Sequence, residues 1–177
     1  MTSADIEAVA ACHLASWQMA FRGLLSDGLL DELTHSQFIQ TWRQLVSVGG
    51  RTNLVADGAQ EIIGFVSFGA YRPGPSNDPA SEQIAEVYGI YVHPTWWRAG
   101  AGRMLFRIAL EELHAAGFQT VKVWTMAGNR RSRSFYEAHG LRLSPSARTS
   151  ERSGEKFEEV QYEIGLEACD GGGPVPC

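Results

Sequence analysis

The sequence predicts an α/β fold of the α+β kind, a mixed sheet with helices on both faces. Three observations lead there. Apolar residues recur at helical spacing over roughly the first fifty positions and then change to strand alternation. From residue 84 onward the patterns follow the order β-α-β-α-β-β. The composition, 44% hydrophobic and 20% charged in 177 residues, is that of an ordinary folded domain.

Thr2 and Asp5 make a capping-box pair, and Ile6, Val9, Ala10, Leu14, Trp17 and Phe21 follow on one stripe, which predicts a first helix. Gly23 and the cluster Ser26-Asp27-Gly28 are expected to break it. A second helix starts from Thr34, with Gln37 three residues on and Phe38, Trp42, Leu45 and Val46 on one face, and Gly49-Gly50 ends it. Asn53–Ala56, a turn at Asp57-Gly58 and Ile62–Phe68 predict a β-hairpin. The stretch from Arg72 to Ser81, rich in Pro, Gly, Ser and Asn, is expected to be a mobile loop facing substrate.

Gln83–Val92 alternates as a strand and stops before Pro94, which has no N–H to give a ladder. A glycine-containing loop, Trp96–Gly102, leads into a helix over 101–116 with Leu105, Ile108, Ala109 and Leu113 inward and Gly117 as its stop. Thr120–Thr125 reads as a strand, Asn129–His139 as a helix ended by Gly140, and Leu141–Leu143 as a short strand. After a polar loop, Glu158–Leu166 alternates as the last strand. On this reading residues 1–167 are a single domain and 168–177 a flexible tail.

Composition excludes several classes of function. Lys plus Arg number 15 against 20 Asp plus Glu, a net charge of −5, which suits neither a nucleic-acid coat nor an anionic membrane surface. No run approaches the roughly 18 apolar residues of a membrane span. The three cysteines, Cys12, Cys169 and Cys177, show no C-x-x-C spacing and give no disulfide framework, and the cytoplasm is the expected compartment. His35, His93, His114 and His139 are scattered, so no metal site is expected. Cys12 and His13 are adjacent on a helix and point about 100° apart, a poor nucleophile–base pair.

The segment from Ile84 to Ala116 carries the chemistry. A helix N-terminus offers unpaired N–H groups and partial positive charge, and Gly100-Ala101-Gly102 would let that backbone approach an anion closely. Arg98 and Arg103 flank the turn and can add charge-assisted bonds. A Rossmann fingerprint would need a glycine where Leu105 stands, and the Gly-Lys-Ser/Thr of a P-loop is absent. Between Arg98 and Arg133, seven basic residues (Arg98, Arg103, Arg107, Lys122, Arg130, Arg131, Arg133) meet only Glu111 and Glu112, a basic region on an acidic chain. That distribution suits one bound polyanion.

These residues carry a resemblance. Gly89-Ile-Tyr-Val-His-Pro-Thr-Trp-Trp-Arg-Ala-Gly-Ala-Gly-Arg-Met-Leu105 resembles the acetyl-CoA motif of the GCN5-related N-acetyltransferase (GNAT) family. Asn129-Arg-Arg-Ser-Arg-Ser-Phe-Tyr-Glu-Ala-His-Gly-Leu141 resembles its second motif, with a helix and a strand between the two. Ser16-Trp17 through Phe21-Arg22-Gly23-Leu24-Leu25 is similar to the helix 1–helix 2 opening of many bacterial members. The resemblance runs over residues 3 to 166.

It implies a mostly antiparallel central sheet of about six to seven strands and transfer of an acetyl group from acetyl-CoA to a primary amine. The attack would be direct, through a tetrahedral intermediate. The CoA pyrophosphate would sit on Trp97, Arg98, Ala99, Gly100, Ala101, Gly102 and Arg103. The pantetheine amides would pair with the strand edge at Ile90, Tyr91 and Val92, where the Val92 N–H would hold the polarised carbonyl oxygen. Asn129 and Ser132 would help hold the arm, with Phe135 packing nearby, and Tyr136 would protonate the departing thiolate, a role that fits a phenol with a pKa near 10. Glu86, on the strand leading into this region, is the candidate base, directly or through water.

Two positions depart from the family. Its phosphate loop usually begins with Gln or Arg, where this chain has Trp97; ribosomal-protein N-acetyltransferases carry a catalytic Glu where it has Trp124. The expected acceptor is a small-molecule or peptide amine, with no nucleic acid, membrane or metal involved, and homodimers are common in the family. Two other readings stay open: a CoA- or acyl-CoA-binding sensor without catalysis, and an acetyltransferase that modifies a partner protein.

Overall fold

The structure, a computed structural model, describes residues 1–58, 61–72 and 82–166. Its helices are α1 (Ile6–Ala20), α2 (Asp27–Asp31), α3 (His35–Val48), α4 (Ala101–Ala115) and α5 (Arg130–Ala138). Its strands are β1 (Arg51–Gly58), β2 (Glu61–Ala70), β3 (Ile84–Val92), β4 (Thr120–Met126), β5 (Arg142–Arg152) and β6 (Glu155–Gly165). They form one six-stranded sheet in the order β1-β2-β3-β4-β6-β5, flanked by helices. The β1–β2, β4–β6 and β5–β6 pairs are antiparallel, so the expected mixed, mostly antiparallel α+β architecture is present. Most of the expected 72–81 loop, the tail 168–177, Cys169 and Cys177 lie outside the described residues.

The chain divides into two compact units. The first holds residues 1–69 and 87–109; the second holds the described residues of 70–86 and 110–166.

In the first unit the Thr2–Asp5 capping box forms as expected and feeds α1. Thr2 N–H donates to the Asp5 carboxylate at 2.6 Å, and this bond holds the Asp5 carboxyl below its ordinary pKa. Val9, Ala10 and Cys12 of α1 pack with Phe38 and Trp42 of α3 and Phe65 of β2. The cluster expected to be only a helix break does more: Ser26 Oγ accepts from the Leu29 N–H and caps the short α2. Serine before a pair of leucines supplied that cap chemically. At Gly64 a Cβ would stand 2.9 Å from the Tyr91 carbonyl and 3.3 Å from a Leu105 methyl, so only glycine lets β2, β3 and α4 approach this closely.

The second unit corrects the last part of the sequence reading. The expected short strand Leu141–Leu143 overlaps the start of the eleven-residue β5, which begins at Arg142, and the final strand begins at Glu155 rather than Glu158. Between them, Ser153 and Gly154 have φ of 50° and 84°, a two-residue hairpin turn with both central residues left-handed. The strand hid because its inward positions are polar. Ser144 donates to Gln161, while Arg148 and Ser150 both donate to Glu159, so no apolar alternation marks it. Pro145 sits in the register shift between Leu143 and Ala147, at an edge strand, where a missing N–H is tolerated.

Candidate active site

In the first unit, the end of β3 and the loop after it form one local structure. Pro94 opens a 3-10 turn over Pro94–Trp96, a position where its missing N–H and fixed φ fit. Arg98 and Gly100 then take left-handed φ of 66° and 90°. The N–H groups of Trp97 and Ala99 turn back to the carbonyls of Pro94 and Trp96, both at 3.3 Å. The first bond of the α4 ladder runs from Met104 N–H to the Gly100 carbonyl at 3.0 Å. The N–H groups of Ala101, Gly102 and Arg103 precede that ladder and have no intrahelical acceptor. Of the stretch expected to meet a pyrophosphate, these three form the helix N-terminus. Arg98 and Arg103 are exposed beside it.

The polarity of β3 follows from two contacts. His93 N–H donates to the Ile63 carbonyl at 2.8 Å, and the Tyr91 carbonyl faces Gly64 of the same strand. Alternation along a strand then turns the backbone groups of Val92 and Ile90 to the opposite edge. Of the three residues expected to offer that edge, Tyr91 instead faces β2. Its phenol accepts from the Trp17 indole at 3.2 Å. The Val92 carbonyl accepts from the Trp97 indole N–H at 2.7 Å and from the Ser16 hydroxyl at 2.9 Å. Ser16 was missed by the sequence reading; the available signal was a small polar residue within the buried stripe of α1.

In the second unit, Asn129 caps α5: its Oδ1 accepts from Ser132 N–H at 3.1 Å. Ser132 Oγ donates to the Asn129 carbonyl and also meets Thr125 Oγ1. Both expected arm-holding side chains therefore shape the start of the helix. Tyr136 is buried on α5, with its ring centroid 5.5 Å from Phe135 and 6.1 Å from Tyr162. The Tyr162 hydroxyl ties α5 to β6 by donating to Glu137 at 2.6 Å and accepting from Arg133 at 3.0 Å. Burial, followed by the bond to Glu137, raises the Tyr162 pKa.

Glu86 is 4% exposed. Arg72 meets it through its backbone N–H and Nε, at 3.2 and 3.3 Å from Oε2, and through Nη2, 2.8 Å from Oε1. The candidate base is thus an ion-paired carboxylate with three of its roughly four lone-pair sites used. Trp124 carries a buried indole N–H that has no hydrogen-bond partner among the described residues. The Arg148 guanidinium lies 4.2 Å from its ring centroid.

Several expectations receive structural assignments. Lys122, counted in the basic region, is buried with Nζ 5.0 Å from the Tyr71 ring centroid, and Arg133 is bonded to Tyr162 and the Ala127 carbonyl. Burial pushes the Cys12 thiol up to about 11, which favours the protonated form at neutral pH. The neighbouring His13 packs among Trp17, Phe38, Trp42, Phe65 and Tyr91, and its Nδ1 accepts from the Trp42 indole at 3.2 Å. Among the described residues, no three or more His, Cys, Asp or Glu gather to hold a metal, and no helix is long and apolar enough to cross a membrane.

Comparison with known proteins gives a consistent result. Residues 14–141 match the Acetyltransferase (GNAT) family. The chain is 30% identical over 138 residues to the uncharacterized N-acetyltransferase YuaI of Bacillus subtilis (strain 168), covering 76% of this chain and 73% of that protein. Its fold is similar to that of an N-acetyltransferase from Staphylococcus aureus Mu50, with a TM-score of 0.70 at 18% identity over 94% of this chain and 96% of that one. It is also similar to the PaiA N-acetyltransferase of Thermoplasma acidophilum in complex with coenzyme A. There the TM-score is 0.69 at 16% identity, over 93% of this chain and 95% of that one.

Proposed function

The chain belongs to the acetyltransferase (GNAT) family, and on that premise we propose how its residues carry an acetyl group from acetyl-CoA to a primary amine. The observation that carries the reading is the turn at the start of α4. Three backbone N–H groups precede the helical ladder there, two left-handed residues shape the approach, and Arg98 and Arg103 stand exposed beside it. Such an arrangement fits a pyrophosphate.

When bound, acetyl-CoA supplies an activated thioester and a thiolate leaving group. Ala101, Gly102 and Arg103 would hold the pyrophosphate through N–H groups, with Arg98 and Arg103 adding charge; Trp97, Ala99 and Gly100 would shape the turn. Ile90 and Val92 would pair with the pantetheine amides, with Tyr91 packing behind them, and the Val92 N–H would polarise the thioester carbonyl. Asn129, Ser132 and Phe135 would support the arm. Tyr136 would give its proton to the leaving sulfur, and Glu86 would take one from the attacking amine, directly or through water.

The enzyme is one catalytic domain over residues 1–167 on this reading, working in the cytoplasm, and homodimers are common in its family. Its net charge of −5, with the basic residues concentrated between Arg98 and Arg133, favours a cationic acceptor such as a polyamine, an aminoglycoside or a lysine side chain.

Calorimetric titration of acetyl-CoA and desulfo-CoA tests the reading. Micromolar binding is expected and would justify an amine screen by thiol release. Absence of binding would overturn both the transferase and the sensor readings.

A further inference from the structure

Trp97 stands where the phosphate loop of the family usually begins with Gln or Arg. Its backbone N–H is turned to Pro94, and its side chain folds back along the chain, where the indole N–H donates to the Val92 carbonyl at 2.7 Å. A second donor reaches the same oxygen from α1. The Ser16 hydroxyl, 2% exposed, lies 2.9 Å from it and 2.8 Å from the Cys12 carbonyl. A hydroxyl carries one proton, so Ser16 divides it between these two oxygens, and the indole makes the shorter bond to Val92.

We infer that Trp97 is a positioning residue that couples the phosphate loop to the end of β3, with Ser16 as an auxiliary donor; this rests on the acetyl-CoA reading above. Trp97 is the first residue of the loop that leads to the open N–H groups of α4. The other end of its side chain is fixed to the last residue of β3. In an extended residue the N–H and C=O point to the same side of the strand. A bond that fixes the Val92 carbonyl therefore also sets the direction of the Val92 N–H, the group assigned to polarise the thioester. Filling the loop would stiffen the turn that carries the indole, and the indole would pass that order to Val92. The tryptophan thus replaces a side-chain phosphate contact with a tie to the strand end, and it is not a sign of a decayed site.

The test uses adenosine 3′-phosphate 5′-diphosphate, which has the pyrophosphate but no pantetheine arm. It is titrated into wild-type protein and Trp97→Phe by calorimetry, while the Val92 amide and the indole N–H groups are followed by nuclear magnetic resonance with hydrogen exchange. In wild type the nucleotide is expected to shift the Val92 amide and slow its exchange. In Trp97→Phe, free-state exchange at Val92 should quicken by about tenfold, the scale of one lost hydrogen bond, and the response of Val92 to saturating nucleotide should disappear. Ser16→Ala should give a smaller change in the same direction, and it carries the test if Trp97→Phe melts early. An equal Val92 response in wild type and both variants would overturn the coupling. A Trp97→Phe loss of affinity beyond tenfold would also overturn it, by making Trp97 a loop-binding residue. Failure of wild type to bind nucleotide and desulfo-CoA alike would instead remove the acetyl-CoA reading itself.

Discussion

Arg72 grips Glu86 at both carboxylate oxygens, with Nη2 2.8 Å from Oε1 and the backbone N–H and Nε at 3.2 and 3.3 Å from Oε2. The partners differ in environment. The Glu86 side chain is 5% exposed and that of Arg72 is 54% exposed, so a buried carboxylate is served by a cation reaching in from solvent. The two substitutions therefore report different things. Arg72→Ala leaves the carboxylate under-satisfied and should cost about 1–3 kcal/mol in urea unfolding. Glu86→Gln keeps much of the packing and should lower kcat by about 10²-fold, the scale of general-base help, with desulfo-CoA affinity unchanged; an undiminished kcat would assign the base elsewhere.

Tyr136 is packed on α5 between Phe135 and Tyr162. Removing only its hydroxyl should leave that packing intact. Tyr136→Phe is expected to lower kcat by about 10²-fold or more, the scale of general-acid help, with desulfo-CoA affinity unchanged. Thiol release and calorimetry measure the two separately, and an undiminished kcat would remove Tyr136 from the mechanism.

Two glycines separate folding from binding. Gly64→Ala places a Cβ 2.9 Å from the Tyr91 carbonyl, so backbone must shift, and unfolding should become easier by about 1–3 kcal/mol. Gly102→Val, at the start of α4, should leave the melting temperature nearly unchanged and weaken CoA binding by obstructing the approach of the pyrophosphate to the N–H groups there. Equal CoA affinity would place the cofactor elsewhere.

Alkaline unfolding should report Cys12. Its thiol is raised from 9.0 to about 11 by burial, so above pH 9 the unfolded chain releases this proton while the folded chain keeps it. The unfolded state then binds fewer protons, and stability falls as pH rises from about 9 to about 11, by up to about 1.4 kcal/mol per pH unit for the one group. Tyr162, also raised, adds a loss of the same sign at the alkaline end. Urea unfolding across this range should show a shallower slope for Cys12→Ala, and in native protein at pH 8 Cys12 should resist alkylation by iodoacetamide. A slope unchanged by the substitution would exclude Cys12 as its source.

The parts of the fold legible in the sequence were those whose signals are local. The Thr2–Asp5 and Thr34–Gln37 capping boxes each span four residues, and both form as read. The turn expected to meet a phosphate is contiguous from Trp97 to Arg103, so its glycines and the following apolar helix could be recognised together. Most of β5 was not legible beyond Leu143, because its inward residues are Ser and Arg whose partners, Gln161 and Glu159, lie on the neighbouring strand. A polar face that is satisfied by another strand has the same sequence appearance as a solvated loop.

The sequence by itself pointed to the family, to most of the helices and strands in their order, and to the loop expected to meet the pyrophosphate, because periodicity, capping and motif spacing all act between near neighbours in the chain. Tertiary structure decided which side chains those elements bring together. Ser16 reaches Val92 across 76 positions, Arg72 reaches Glu86 across 14, and Arg148 covers Trp124. Such pairings depend on helix docking and strand register, which are set by burial of the whole apolar surface rather than by any short run of residues. The same holds for Trp97: its presence could be read from the sequence, and its bond to Val92 exists only because the loop folds back on the strand that precedes it.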